Sequence, residues 1–209
     1  MTSQTLRVQI LAFDEVEALD FCGPFEVFTT ASRVHGRQHA GEPALFEVTS
    51  VAAEQAVRAR AGLRLLADHS LADAPPADVL VVPGGVVDAA LASADTLAWI
   101  ATQAREARIT ASVCTGALLL AASGVLQGNA RATTHWEDID DLRARFPALD
   151  VVQDVRWVDN GRIVTSAGIS AGIDMSLHLV GRLAGRDLAL RTARQMDFAW
   201  TTNPSNPSA

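Results

Sequence analysis

Ile109-Thr110-Ala111-Ser112-Val113-Cys114-Thr115-Gly116-Ala117-Leu118-Leu119-Leu120 reads as a strand that breaks into a helix at a cysteine. Ile109 to Val113 is short and β-prone, and Ala117 to Leu120 is apolar and helix-prone. The small-residue turn between them, Cys114-Thr115-Gly116, has the outline of a nucleophile elbow, which holds a reactive side chain on a tight strand-to-helix turn. A helix N-terminus carries partial positive charge, so the sequence predicts a Cys114 thiol of lowered pKa, poised as the attacking thiolate. The competing reading is a buried structural cysteine, because free cysteines are among the most buried residues. The elbow context favours the nucleophile.

Outward from the elbow, strands and helices alternate. Residues 7–13 read as a buried strand, followed by a helix opened by Gly23-Pro24 with its body from Phe25 to about Val34. Phe46 to Val51 is a second strand, and Val57–Arg60 with Leu63–Leu66 makes a small hairpin. Asp78-Val79-Leu80-Val81-Val82 is a buried strand stopped by Pro83-Gly84-Gly85, and residues 94–107 are helical. The elbow helix spans 115–123 and ends at Gly124. Asp159-Asn160-Gly161 marks a hairpin between Val155–Val158 and Arg162–Ser166, and two amphipathic helices follow at 171–184 and 187–198. The pattern predicts an α/β fold with a mainly parallel sheet covered on both faces. Residues 1–200 form one domain in this reading, and residues 201–209 a polar, flexible tail.

The composition narrows the function. The net charge of −7 across 209 residues argues against a nucleic-acid partner. No apolar run approaches the roughly 20 residues that span a bilayer, and the polar N-terminus has no signal-peptide pattern. Two cysteines, Cys22 and Cys114, are not a disulfide framework, so a reducing cytoplasm is expected. No set of residues has metal-ligand spacing, and Pro83-Gly84-Gly85 lacks both the dinucleotide spacing and a Walker lysine. Neither a metal nor any other cofactor is therefore expected. The chain contains no lysine and no tyrosine, which removes Schiff-base chemistry and a tyrosine acid.

In open α/β sheets, sites lie beyond the C-terminal ends of the strands. Three segments meet that condition: Asp20 with Gly23-Pro24, Gly84-Gly85, and Cys114-Thr115. Asp20 has two readings: a helix cap, or a proton donor and acceptor beside the thiol with its pKa raised by a neighbouring anion. Gly84 and Gly85 form either a tight turn or a pair of backbone N–H groups aimed at developing negative charge. Thr115 offers another N–H and a hydroxyl, or it caps the helix. His135, in Ala132-Thr133-Thr134-His135-Trp136, is either a partner for the thiol or a strand-end histidine bonded to backbone. Asp174 reads as a favourable acidic residue in a first helical turn, and His178 as a helix-surface residue.

Leu19-Asp20-Phe21-Cys22-Gly23-Pro24, Val82-Pro83-Gly84-Gly85 and Ser112-Val113-Cys114-Thr115-Gly116, continuing into Leu126 through Trp136, together resemble the DJ-1/PfpI superfamily over nearly the whole chain. Within it, the motifs look closest to isocyanide hydratases and to the amidotransferase-like domains of AraC-type regulators. The resemblance implies a flavodoxin-like three-layer sandwich, a homodimer and a small-molecule substrate. It implies Cys114 as nucleophile and Asp20 as its acid/base partner, with Gly85, Thr115 and Gly84 as oxyanion or positioning groups and His135 as an accessory. The glyoxalase and deglycase branch usually has glutamate where Asp20 stands, and the protease branch has histidine where Thr115 stands. Regulators of this group add a DNA-binding domain, for which these 209 residues leave no room, so direct DNA contact is not expected. The activity implied is a hydro-lyase turning an isocyanide into an N-substituted formamide. The alternatives are a ligand- or redox-sensing module and a dicarbonyl enzyme.

Overall fold

The computed structural model describes residues 4–202; most of the tail expected to be flexible, residues 201–209, lies outside them. In chain order the elements are β1 (Leu6–Leu11), α1 (Ala18–Gly36), β2 (Phe46–Ala52), β3 (Ala56–Arg58), β4 (Arg64–Leu66), β5 (His69–Ser70) and β6 (Val79–Val82). Then follow α2 (Asp88–Ala92), α3 (Ala94–Glu106), β7 (Ile109–Val113), α4 (Gly116–Ala122), β8 (Arg131–Ala132), α5 (Ile139–Arg145) and β9 (Asp150–Val151). The chain closes with β10 (Trp157–Asp159), β11 (Ile163–Ser166), α6 (Ala171–Ala184) and α7 (Arg186–Gln195).

Seven strands form one sheet in the order β10-β11-β7-β6-β1-β2-β5, parallel throughout except for the β10–β11 hairpin. β6 and β7 lie inside the sheet, and every one of their residues is buried. That is why both read as continuous runs without polar alternation. Helices α1, α6 and α7 pack on one another, and α2, α3 and α4 form a second helical group, so the sheet is covered on both sides. This is the α/β, flavodoxin-like architecture expected from the alternation. β1 and β6 are neighbours from which the chain order runs outward in opposite directions, and a crevice opens at such a switch point beyond the strand ends.

The main departure is the start of α1. It begins at Ala18, not at Gly23-Pro24. The cause is tertiary: Val16 bridges to Gly85, and the Glu17 N–H donates to the Gly84 carbonyl at 2.8 Å. That clamp sets the helix origin, and Pro24 becomes an internal residue. Asp20 therefore lies in the first helical turn and not in the preceding loop. Helices α2 and α5 and strands β5, β8 and β9 were not legible in the sequence, because each is too short to show a periodicity.

Candidate active site

The elbow forms where the sequence places it, and it is strained. Cys114 has φ +57°, a left-handed conformation uncommon for a residue with a side chain. Neighbouring segments fix it there. Its N–H faces the carbonyls of Ser166 and Ala167 at 3.1 and 3.3 Å, and its own carbonyl accepts the Thr134 hydroxyl at 2.9 Å. Strain of this kind persists only where surrounding structure over-determines it.

Gly84 fits because it has no side chain. A Cβ there would stand 2.5 Å from the Thr115 nitrogen and 2.9 Å from the Cys114 Cβ. The close approach lets the β6 and β7 ends share one crevice. The Gly84 N–H donates to Asp20 Oδ2 at 3.2 Å. Asp20 is fully buried, and Oδ1 has no partner in hydrogen-bond geometry among the described residues. Burial pushes the Asp20 pKa up to about 7. The Cys114 thiol and then the Gly84 N–H pull it back, the Glu17 charge adds to the rise, and the Ile169 N–H lowers it slightly. The rise expected from a neighbouring anion is thus mainly a burial effect.

The acidity expected of Cys114 is not what its surroundings favour. The thiol is not acidified: burial and the Asp20 charge raise its pKa to about 12, against a lowering contribution from the Thr115 N–H. The partial charge of the short α4 N-terminus does not offset removal of the thiolate from water. These surroundings favour the protonated thiol, and burial moves the Asp20 carboxyl toward neutrality.

Gly85 and Thr115 pair reciprocally. The Gly85 N–H donates to Thr115 Oγ1, and that hydroxyl donates to the Gly85 carbonyl, both at 2.9 Å. The Gly85 N–H is therefore not free in the resting structure to receive negative charge, as the sequence reading had it. The Thr115 N–H is the backbone donor that acts on the sulfur. Gly85 itself is fixed by φ +142° and by a Cβ position only 2.2 Å from the Glu15 carbonyl oxygen.

His135 joins Cys114, Thr115 and Gly85 in lining a cavity of about 230 Å³. Its Nδ1 lies 3.3 Å from Asp138 and 3.7 Å from Glu137, and it faces the Glu137 N–H at 3.4 Å. Five lining residues were invisible to sequence reasoning: Glu17, Arg60, Glu137, Asp138 and Ile169. Glu17 and Arg60 pair at 3.5 Å across residues far apart in the chain. Ile169 has φ +50°, an outlier for a β-branched residue, and no local sequence signal marks it. Asp174 lies in the first turn of α6, as expected, but it is not a surface residue. It is buried against the Arg156 guanidinium at 2.5 Å and accepts the Thr201 N–H at 2.8 Å. His178 is likewise tied down, 2.7 Å from Asp159. Among the described residues, no three His, Cys, Asp or Glu side chains converge as a metal site, and no helix is long and apolar enough to cross a membrane.

Comparison with known proteins places this geometry. Residues 6–182 match the DJ-1/PfpI family, and the chain belongs to it. It is 38% identical over 195 residues to an isonitrile hydratase of Pseudomonas putida, covering 93% of this chain and 79% of that protein. It is 30% identical over 182 residues to the transcriptional regulator GbdR of Pseudomonas aeruginosa, covering 87% of this chain but 48% of the regulator. A THiJ/PfpI family protein from Pseudomonas syringae superposes with a TM-score of 0.82 at 28% identity, over 100% of this chain and 81% of that one. Drosophila melanogaster DJ-1beta shares the fold at a TM-score of 0.77 and 21% identity, over 94% of this chain and 100% of its own.

Proposed function

We propose that this DJ-1/PfpI family member is a cysteine-dependent hydro-lyase that adds water to an isocyanide and releases an N-substituted formamide. The observation that carries the reading is the convergence on Gly84 of the buried Asp20 carboxyl, which accepts its N–H at 3.2 Å, and of Cys114, whose Cβ lies 2.9 Å from the Gly84 Cβ position, with burial raising the acid's pKa to about 7. The similarity to an isonitrile hydratase supports it.

The reaction follows from where the proton rests. The Asp20 carboxylate takes the thiol proton as sulfur attacks the terminal isocyanide carbon, so no net charge is created in the buried site. The new C–S bond leaves a carbanion-like carbon, and Asp20 returns the proton to it. The product is a thioimidate on Cys114. Asp20, again a carboxylate, removes a proton from the water that adds to the thioimidate carbon and delivers it to nitrogen. The tetrahedral adduct collapses: the C–S bond breaks, the carbonyl forms, and the hydroxyl proton returns to sulfur. The sum is one isocyanide and one water giving one formamide. The Thr115 N–H supports the sulfur whenever it carries negative charge. Glu17, Arg60, Glu137 and Asp138 give the cavity a charged wall that orders water for the second half.

A ligand- or redox-sensing module is the second reading, favoured by the similarity to the regulator. The raised Cys114 pKa weighs against the redox form, because oxidation follows thiolate character. Formamide release from an isocyanide, measured with wild type, Cys114→Ala and Asp20→Asn and with methylglyoxal loss in parallel, separates the readings. Isocyanide turnover lost in both variants supports the hydratase. Methylglyoxal loss alone moves the protein to dicarbonyl chemistry, and no turnover of either favours the sensor.

A further inference from the structure

Two cavities meet at the site. The inner one, about 230 Å³, holds Cys114. The outer one is about 600 Å³ and is walled by residues 133–136, 153–156 and 167–171, with Ile139 and Asp140. His135 and Ile169 line both, so these two side chains form the partition.

The two spaces differ in chemistry. The inner wall carries Glu17, Arg60, Glu137 and Asp138. An apolar ring placed there would strip water from charged groups without replacing their hydrogen bonds. The outer wall also carries charge, from Asp140, Asp154 and Arg156, but unlike the inner one it offers a run of large apolar side chains, Trp136, Ile139, Val155 and Ile169. Trp136 is 75% exposed and is the only aromatic among the exposed large apolar side chains of the described residues. Trp99 and Trp157 are buried, at 7% and 3%, so such exposure is not general for the indoles of this chain. The Trp136 ring centroid lies 5.8 Å from that of His135, which carries aromatic surface from the partition outward.

We propose that the outer cavity is the subsite for the substituent of the substrate, that this substituent is flat and aromatic, and that Trp136 is the side chain on which it stacks. The identity of the reacting head group rests on the hydratase reading above. The small isocyano group reaches Cys114 in the polar inner space, while the ring stays outside on the indole.

The test compares kcat/KM for phenyl isocyanide and methyl isocyanide in wild type, Trp136→Ala and Trp136→Phe. Trp136→Ala lowers the phenyl-to-methyl ratio roughly fivefold, mainly through KM for the aryl substrate, and Trp136→Phe restores most of it. Leu190→Ala, exposed on α7 and in neither cavity, leaves the ratio unchanged. An unchanged ratio in Trp136→Ala overturns the proposal. If wild type hydrates neither isocyanide, the hydratase reading fails, and calorimetric titration with N-phenylformamide and N-methylformamide decides the subsite. Tighter binding of the phenyl compound, weakened roughly fivefold in Trp136→Ala, upholds it, and equal binding of the two overturns it. A solution dimer that Trp136→Ala dissociates makes the outer cavity a subunit interface, and also overturns it.

Discussion

The Thr115 hydroxyl and the Gly85 peptide satisfy one another, with donation in both directions at 2.9 Å. One side chain on the elbow thus fixes the turn at the end of the neighbouring strand. Thr115→Val leaves both Gly85 groups without this partner. We expect a stability loss of about 1–3 kcal/mol, the cost of orphaned buried polar groups. Thr115→Ser, which keeps the hydroxyl, should recover most of it. Thermal denaturation of the two variants checks this, and equal melting temperatures would refute the role given to the hydroxyl.

Asp20 makes stability depend on pH with a definite sign. Its pKa is raised on folding from 3.8 to about 7, so its favourable contribution is complete below pH 3.8 and is lost as pH rises through 7. Asp20→Asn removes the buried charge. It should be more stable than wild type at pH 8, by up to about 4 kcal/mol at 1.36 kcal/mol per pH unit. The advantage should vanish near pH 4. Chemical denaturation at the two pH values gives the answer, and a variant less stable at pH 8 would contradict it.

The same residue couples acidity and catalysis in opposite directions. The nearby charge of Asp20 raises the Cys114 thiol. In Asp20→Asn the thiol should titrate lower than the wild-type value of about 12 and alkylate faster with iodoacetamide. Isocyanide hydration should nevertheless fall by on the order of 10²–10⁴, the contribution of a positioned acid–base group. Faster alkylation with slower turnover is the diagnostic pair. If hydration rises together with alkylation, Asp20 is not the proton carrier.

Wild-type kcat/KM should increase as pH passes through about 7 and then level off, because only the Asp20 carboxylate takes the thiol proton. A low-pKa thiol would instead sustain activity well into the acid range. A pH–rate profile flat down to pH 5 would rule out this assignment.

Gly84→Ala tests the close approach of two strand ends. Its Cβ would meet the Thr115 nitrogen and Oγ1 at 2.5 Å, and neither backbone nor elbow has room to yield. We expect at least a hundredfold loss of turnover, on the order of what a misplacement of about 1 Å costs. Gly124→Ala makes a useful contrast. Gly124 has φ +73° and open space around its Cβ position, so the cost is backbone strain of about 1–2 kcal/mol, with turnover retained. Similar kinetics for the two variants would show that the Gly84 approach is not needed.

Much of this molecule is written in local sequence. The uniformly apolar runs at Val79–Val82 and Ile109–Val113 specify interior parallel strands, because only a strand buried on both faces lacks polar alternation. Asp159-Asn160-Gly161 specifies the hairpin for an equally local reason, with Gly161 at φ +85°. Cys114 at a strand end before a small-residue turn is visible for the same reason, and so are the positions of Asp20, Gly84-Gly85 and Thr115 beyond strand ends. What only the tertiary structure decided depends on groups brought together across the chain. The origin of α1 is set by contacts of Val16 and Glu17 with Gly84-Gly85, and these outweigh the helix-start signal of Gly23-Pro24. The Gly85 N–H is committed by a hydroxyl from another strand's turn. The protonation of the site is decided last of all. Sequence places a thiol at a helix end and predicts a thiolate, but the depth of burial and a carboxyl from the first helix keep the proton on sulfur. Dehydration is a property of the packed whole, and no local run of residues encodes it.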